Sequence, residues 1–153
     1  MDLRATLQAA TKEAMKARDS ARLSTLRLIG AAIKDREIAA RSGDGDGTLS
    51  DGDLVAILSR MVKQRQESAK AYEEGGRLEL AQKEEDEIAV IQQFLPRQLS
   101  EAETAQAIDT AIATLGATGI RDMGRVMAEL RSRHAGQMDF GAVGPMVKAR
   151  LLN

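Results

Sequence analysis

The stretch Phe94-Leu95-Pro96-Arg97-Gln98-Leu99-Ser100 decides how this chain of 153 residues is organised. Pro96 has no N–H and its ring clashes with the preceding turn, so a helix must end near Leu95. Ser100 with Glu103 then reads as Ser-x-x-Glu, a capping box that opens a new helix at once. One helix stops and another is capped within a few residues. The reading is an all-α protein of two helical subdomains, residues 1–95 and 96–153, joined by a short, stiff break.

Composition agrees with helices. Aromatic residues make up 2% of the chain, with no Trp, one Tyr and two Phe, so any core rests on Leu, Ile, Val, Met and Ala. Such residues suit helix packing better than a sheet. There is no Cys, which removes thiol nucleophiles, disulfides and Cys-ligated metals and fits a reducing compartment. No run of about 18 apolar residues occurs and the first 20 residues lack a signal-peptide core, so a soluble, cytoplasmic protein with no membrane partner is expected. The net charge of −1 is unevenly spread: 9 Lys/Arg face 5 Asp/Glu in residues 1–41, 6 face 12 in 42–95, and 7 face 6 in 96–153. A dedicated nucleic-acid domain carries a stronger basic bias, and sequence-specific DNA binding is not expected.

Apolar spacing predicts four helices before the break. Leu3, Leu7, Ala10 and Ala14 mark the first, over about residues 2–17; Leu23, Leu26, Ile29 and Ile33 mark the second, capped by Asp19 or Ser20. The acidic, Gly-rich loop from Ser42 to Leu49 resembles a calcium loop only in its Asp44/Asp46 alternation. Counted from Asp44, the sixth and twelfth positions hold Leu49 and Val55 instead of Gly and Glu, and the loop reads as a linker turn. Ser50 with Asp53 caps a third helix over 51–74, whose stripe is Leu54, Leu58, Met61 and Tyr72. Arg65 falls on that stripe and needs an anionic partner. The fourth helix, over 77–95 after Gly75-Gly76, turns Leu80, Ala81, Ile88, Ile91 and Leu95 inward. Its Glu84-Glu85-Asp86-Glu87 run has no nucleophile, His or ligand set beside it, and Glu84 or Glu87 is expected to meet Arg65.

Three helices follow the break. Ala105, Ile108, Ile112 and Leu115 line the first, which stops at Gly116. Asp122 is placed to cap the second, with Met123, Val126, Met127 and Leu130 inward and Arg121, Arg125, Arg131 and Arg133 outward. The methionines read as core filler. His134, the only histidine, stands near the C-terminus of that helix with no Ser, Cys or carboxylate pair to make it catalytic. Gly136 ends this helix and Asp139 caps the last, which packs through Val143, Met146, Val147 and Leu151. Gly141, Gly144 and Pro145 predict an irregular first turn there. No metal site, cofactor or catalytic residue is expected.

Several of these segments resemble YqeY-type proteins of the GatB/YqeY family. They are Met15-Lys16-Ala17-Arg18-Asp19 with Arg22-Leu23-Ser24-Thr25-Leu26-Arg27, then Lys63-Gln64-Arg65-Gln66-Glu67-Ser68, Gly76-Arg77-x-x-Leu80-Ala81-x-x-Glu84 and the stretch around Pro96. Asp122-Met123-Gly124-Arg125-Val126-Met127 and Gly136-x-x-Asp139 complete the set. The resemblance implies a two-part helical protein similar to the tail of the B subunit of the aspartyl/glutamyl-tRNA amidotransferase, a domain that helps hold the tRNA while catalysis sits elsewhere. It marks Arg65, Glu84, Pro96, Gly124, Gly136 and Asp139 as motif positions. Ala135, where the resemblance leads one to expect a basic residue, and Pro145 depart from the pattern and weaken the expectation of strong phosphate contact.

The function expected from these features is a non-catalytic module that binds tRNA or a translation-related protein through its C-terminal subdomain. Arg121, Arg125, Arg131, Arg133, Lys148 and Arg150 are the candidate contact residues. An adaptor without RNA contact is the alternative. A role beside a carbon–nitrogen ligase with glutamine as amido donor ranks last, as an activity that would be inherited from the shared domain name alone.

Overall fold

The computed structural model describes residues 2–43 and 47–153, so Asp44 and Asp46 of the Gly-rich loop lie outside the described residues. Among the described residues seven α-helices follow one another and there is no strand. They are α1 (Leu3–Ala17), α2 (Ser20–Arg41), α3 (Asp51–Glu74), α4 (Leu78–Gln92), α5 (Glu101–Leu115), α6 (Met123–Arg133) and α7 (Phe140–Leu152), with a 3-10 turn at Ile120–Asp122. The chain forms two compact units, Met1–Leu95 and Pro96–Asn153.

In the first unit, caps and stops follow the local chemistry. Asp2, Asp19 and Ser50 accept backbone N–H bonds at the starts of α1, α2 and α3, and Ser50 with Asp53 forms a reciprocal capping box. The α3–α4 turn is a Schellman motif: Arg77 N–H donates to Tyr72 O and Gly76 N–H to Glu73 O, with Gly76 at φ +73°. Arg18 makes the same motif between α1 and α2 at φ 56°. It is the one non-Gly residue with positive φ among those described, and it is held there because Asp19 must cap α2 immediately afterwards. The core is an aliphatic cluster in which Ile29, Leu54, Leu58 and Ile91 are fully buried. Removing a side chain such as Leu58 from such a site costs about 2–5 kcal/mol.

The expected meeting of Arg65 with Glu84 or Glu87 is present, while other sequence expectations differ from the structure at identifiable places. Glu87, and not Glu84, meets Arg65: Nε to Oε2 is 2.9 Å, and the two side chains are only 15% and 17% exposed. Arg65 also donates to Met61 O, one turn back on its own helix. Leu80 is 38% exposed instead of inward. It lies about 80–100° round α4 from Ala81 and Ile88, which take the inward face. Helix α4 stops at Gln92 and tightens through i→i−3 bonds from Gln93, Phe94 and Leu95 before Pro96. Periodicity also passed over Val62, Ala69, Ala111 and Met138, all buried.

The second unit is a three-helix assembly around Ile108, Val126, Leu130 and Val147. Ser100 and Glu103 form the expected capping box of α5, and Gly116 ends it at φ 62°. Asp122 does not cap α6. Its Oδ2 accepts the N–H groups of Thr118 and Gly119, so it closes the 3-10 turn that precedes that helix. Pro145 sits inside a continuous α7, not beside an irregular turn. Gly144 before it has no Cβ to collide with the ring, and the carbonyl freed of its partner belongs to exposed Gly141.

The Arg65–Glu87 pair gives a direct test. Replacing Glu87 by Gln leaves a largely buried guanidinium without its anion and should cost about 1–3 kcal/mol in urea unfolding. The double Arg65→Met/Glu87→Met variant should recover most of that loss. Equal stability of the single variant and wild type would show that the pair contributes nothing.

Candidate functional site: the α6–α7 surface

The C-terminal unit is held by a strap. Leu99 N–H donates to Gln137 O at 3.0 Å, and Gln137 Nε2 donates to Arg97 O at 3.0 Å. The Gln98 side chain donates to Gly136 O, and His134 Nδ1 lies 3.1 Å from Gln137 Oε1. Arg97 forms a bidentate bridge to Glu103, both bonds at 2.9 Å. The segment after Pro96 is thereby fastened to the turn between α6 and α7. Gly136, at φ 75°, supplies the left-handed residue that turn requires. Asp139 accepts Gly141 N–H at 3.0 Å and starts α7.

Helices α6 and α7 run antiparallel. The Arg131 guanidinium stands 5.8 Å over the Phe140 ring at one end. Near the other, Met123 Cε is 3.9 Å from where a Gly144 Cβ would lie. Lys148 follows Gly144 by one helical turn, toward the end that carries the 3-10 turn and Arg121. Gly124 and Gly141 are exposed, and a Cβ on Gly124 would meet nothing within 4 Å, so no side chain covers the α6 backbone there.

The six candidate cations divide into two groups. Arg125 Nη2 donates to Asp122 Oδ1 at 3.1 Å and to Leu115 O at 3.3 Å, clamping the C-terminal end of α5. Arg133 pairs with Glu129 one turn away. Arg150 donates to Ala105 O at 2.9 Å and to Asp109, tying α7 to α5. These three are engaged inside the unit. Arg121, Arg131 and Lys148 are exposed and have no acidic partner among the described residues. The arginines of α6 therefore do not make one face: Arg125 points away from the core, while Arg131 and Arg133 stand on opposite flanks.

Between α5 and α6 lies an open cleft of about 540 Å³, floored by Leu99, Ala107, Ala111 and Leu130, with Arg133 and His134 at its rim. Of the motif positions, Gly136 and Asp139 build the strap turn and the start of α7, and Pro96 precedes the strap. Arg65 and Glu84 lie in the other unit. Sequence reasoning missed Gln98 and Gln137. Their only signal is that a polar side chain adjoins a turn with unpaired backbone groups. Among the described residues no group of three or more His, Asp or Glu side chains is placed to hold a metal ion, and no helix is long and apolar enough to cross a membrane.

A sequence model of the family described as Yqey-like protein matches residues 4–151. A protein of Eremothecium gossypii named altered inheritance of mitochondria protein 41, mitochondrial, is 37% identical over 61% of this chain and 49% of its own length. The protein of the same name in Lachancea thermotolerans is 33% identical over 75% of this chain and 58% of its own. An uncharacterized protein of Schizosaccharomyces pombe is 30% identical over 65% and 76%. The chain thus spans about half the length of the mitochondrial relatives it matches.

Electrostatics give the strap a pH signature. The Arg97 guanidinium, and after it the Ser100 backbone N–H, hold the Glu103 carboxyl down to about 2 from an ordinary 4.5. A carboxyl with a depressed folded-state pKa stabilises the fold above its unfolded value and loses that contribution as pH falls through the folded one. The stability gap between wild type and Glu103→Gln should therefore be full above about pH 4.5 and close as pH falls toward 2. A gap independent of pH, measured by denaturant unfolding, would contradict the pairing.

Proposed function

The chain belongs to the YqeY-like family, and on that footing we propose that it is a non-catalytic helical module whose C-terminal unit binds tRNA by phosphate contacts on the α6–α7 surface. One observation carries this reading. Four of the seven cations of residues 96–153 are paired with carboxylates, whereas Arg121 in the 3-10 turn before α6, Arg131 on α6 and Lys148 on α7 have no acidic partner among the described residues. Unpaired cations on a surface with exposed glycines suit a phosphate backbone, which delivers its charge at the rim of a bulky ribose. The likeness of Gly124, Arg125 and Gly136-x-x-Asp139 to the amidotransferase B-subunit tail points to tRNA as the RNA class.

We read the relation to the amidotransferase as one of domain and not of chemistry: the chain has no Cys, and the one histidine meets Gln137 and not a serine or a carboxylate among the described residues. The same lack of Cys supports a reducing, cytoplasmic setting, and the word mitochondrial belongs to the relatives' names.

The test is a tRNA titration over a range of salt. With three phosphate contacts, the log–log slope of affinity against salt should be no steeper than about −3. The Arg121→Ala/Arg131→Ala/Lys148→Ala variant should bind at least about tenfold more weakly near 50 mM salt, with a flatter slope. Arg125→Ala and Arg133→Ala should chiefly lower stability. Equal binding by the triple variant and wild type would remove this surface from consideration and favour an adaptor without RNA contact.

A further inference from the structure

Helix α2 turns one full side to solvent. Its buried residues, Thr25, Leu26, Ile29 and Ile33, face the rest of the N-terminal unit. On the side away from them Ser24, Arg27, Ala31, Lys34, Ile38 and Arg41 recur at alternating steps of three and four. At about 100° per residue the six fall within an arc of about 100°, the middle four within about 60°, and they run for about 25 Å along the helix. All six are exposed and none packs on the core cluster. Ile38 stands near the centre of the arc and is 53% exposed.

The stripe is basic, and no carboxylate lies in it. Other cations of α1 and α2 are engaged: Arg4 pairs with Glu37 at 2.6 Å, and Arg22 donates to the Gln93 side chain and stands 5.8 Å over the Phe94 ring. Arg27 and Lys34 have no acidic partner among the described residues. One turn from Arg27 the helix holds Leu23, Ser24, Gly30 and Ala31, and one turn from Lys34 it holds Gly30, Ala31, Glu37 and Ile38. Glu37 is the one carboxylate among these, and it is spent on Arg4. Asp35, the other carboxylate of α2, lies toward α3, where it lines an open cleft with Arg36 and Asp53.

We propose that the outward stripe of α2 docks an acidic amphipathic helix of a partner protein, an interaction independent of the RNA reading of the C-terminal unit. Spacing and charge select the occupant. Contacts between two helices repeat at steps of three and four, because those steps return side chains to one face. A helix with carboxylates and apolar side chains at such steps meets Arg27 and Lys34 with opposite charge and Ile38 with apolar burial. A nucleic-acid strand would need aromatic side chains for its bases to stack on, and the stripe has none. A bilayer would need a continuous apolar face, and the stripe has one large apolar side chain.

The test uses the full chain and two synthetic amphipathic helical peptides with leucines at alternate places of a three-four seam. The remaining seam places hold glutamates in one peptide and lysines in the other. The Leu/Glu peptide should bind in a salt-dependent manner and the Leu/Lys peptide should not. Arg27→Gln/Lys34→Gln should weaken the Leu/Glu peptide at least about tenfold and flatten its salt dependence. Ile38→Gln should weaken it at least about threefold with the salt dependence kept. Arg60→Gln/Lys70→Gln, which removes the same charge from exposed positions of α3, should change binding by less than about twofold. All these variants replace exposed side chains, so far-ultraviolet circular dichroism should match wild type. tRNA titration should be the same for the stripe variants and wild type, which separates this surface from the α6–α7 one. Equal binding of the two peptides, or binding indifferent to Arg27→Gln/Lys34→Gln, would overturn the proposal. So would three losses in that variant: of tRNA binding, of co-sedimentation with phosphatidylserine/phosphatidylcholine vesicles, or of self-association. The occupant would then be a nucleic acid, a lipid surface or a second copy.

Discussion

The C-terminal unit depends on the strap after Pro96. Proline forces the chain out of a helix, and the next three residues give their backbone and side-chain groups to the α6–α7 turn: Leu99 to Gln137, Gln98 to Gly136, and Arg97 O in return from Gln137. Each such bond contributes about 0.5–1.5 kcal/mol net, and leaving its partner unsatisfied costs more. Because Leu99 and the capping box of α5 share one short segment, and Leu99 N–H is bonded to Gln137 O just after α6, the start of α5 and the end of α6 are fixed together. Arg150 and Arg125 then fasten α7 and the 3-10 turn to the same helix α5. The surface formed by α6 and α7 is presented by a rigid support and not by a loop.

Allocation of charge follows from that support. Glu103, Asp122, Glu129 and Asp109 are committed to Arg97, Arg125, Arg133 and Arg150, and each pair ties down a helix end or joins two elements. Asp122 is held below the ordinary carboxylate range, first by the Thr118 N–H and then by the Gly119 N–H, so it remains charged and closes the 3-10 turn. The cations of this unit left without an acidic partner among the described residues are Arg121, Arg131 and Lys148. Acidity concentrates instead in α3 and α4 of the other unit.

Much of the fold was legible because it is local. Ser50, Ser100, Asp19 and Asp139 announce helix starts, Gly76, Gly116 and Gly136 announce turns, and a 3.6-residue apolar period marks the buried stripes. What escaped was tertiary. Leu80 has the right residue type for a core, but the helix supplies its inward face from Ala81, Ile88 and Ile91, and periodicity cannot rank neighbours about 80° apart. Asp122 looked like an α6 cap because sequence does not distinguish a 3-10 turn from a first helical turn. Pro145 looked like a breaker because the relief provided by Gly144 is a matter of Cβ geometry. The six cations were visible as a group, but not their division: whether an arginine is spent on a carbonyl 45 residues away, as Arg150 is on Ala105, is decided by packing alone.

The most direct measurement is tRNA binding by the isolated fragment 96–153 beside the full chain at equal salt, with circular dichroism on both. The account predicts a helical fragment, carrying its own core and strap, that binds within about twofold of the full chain, a difference of about 0.4 kcal/mol. A helical fragment that has lost binding would contradict it and move the site away from α6 and α7.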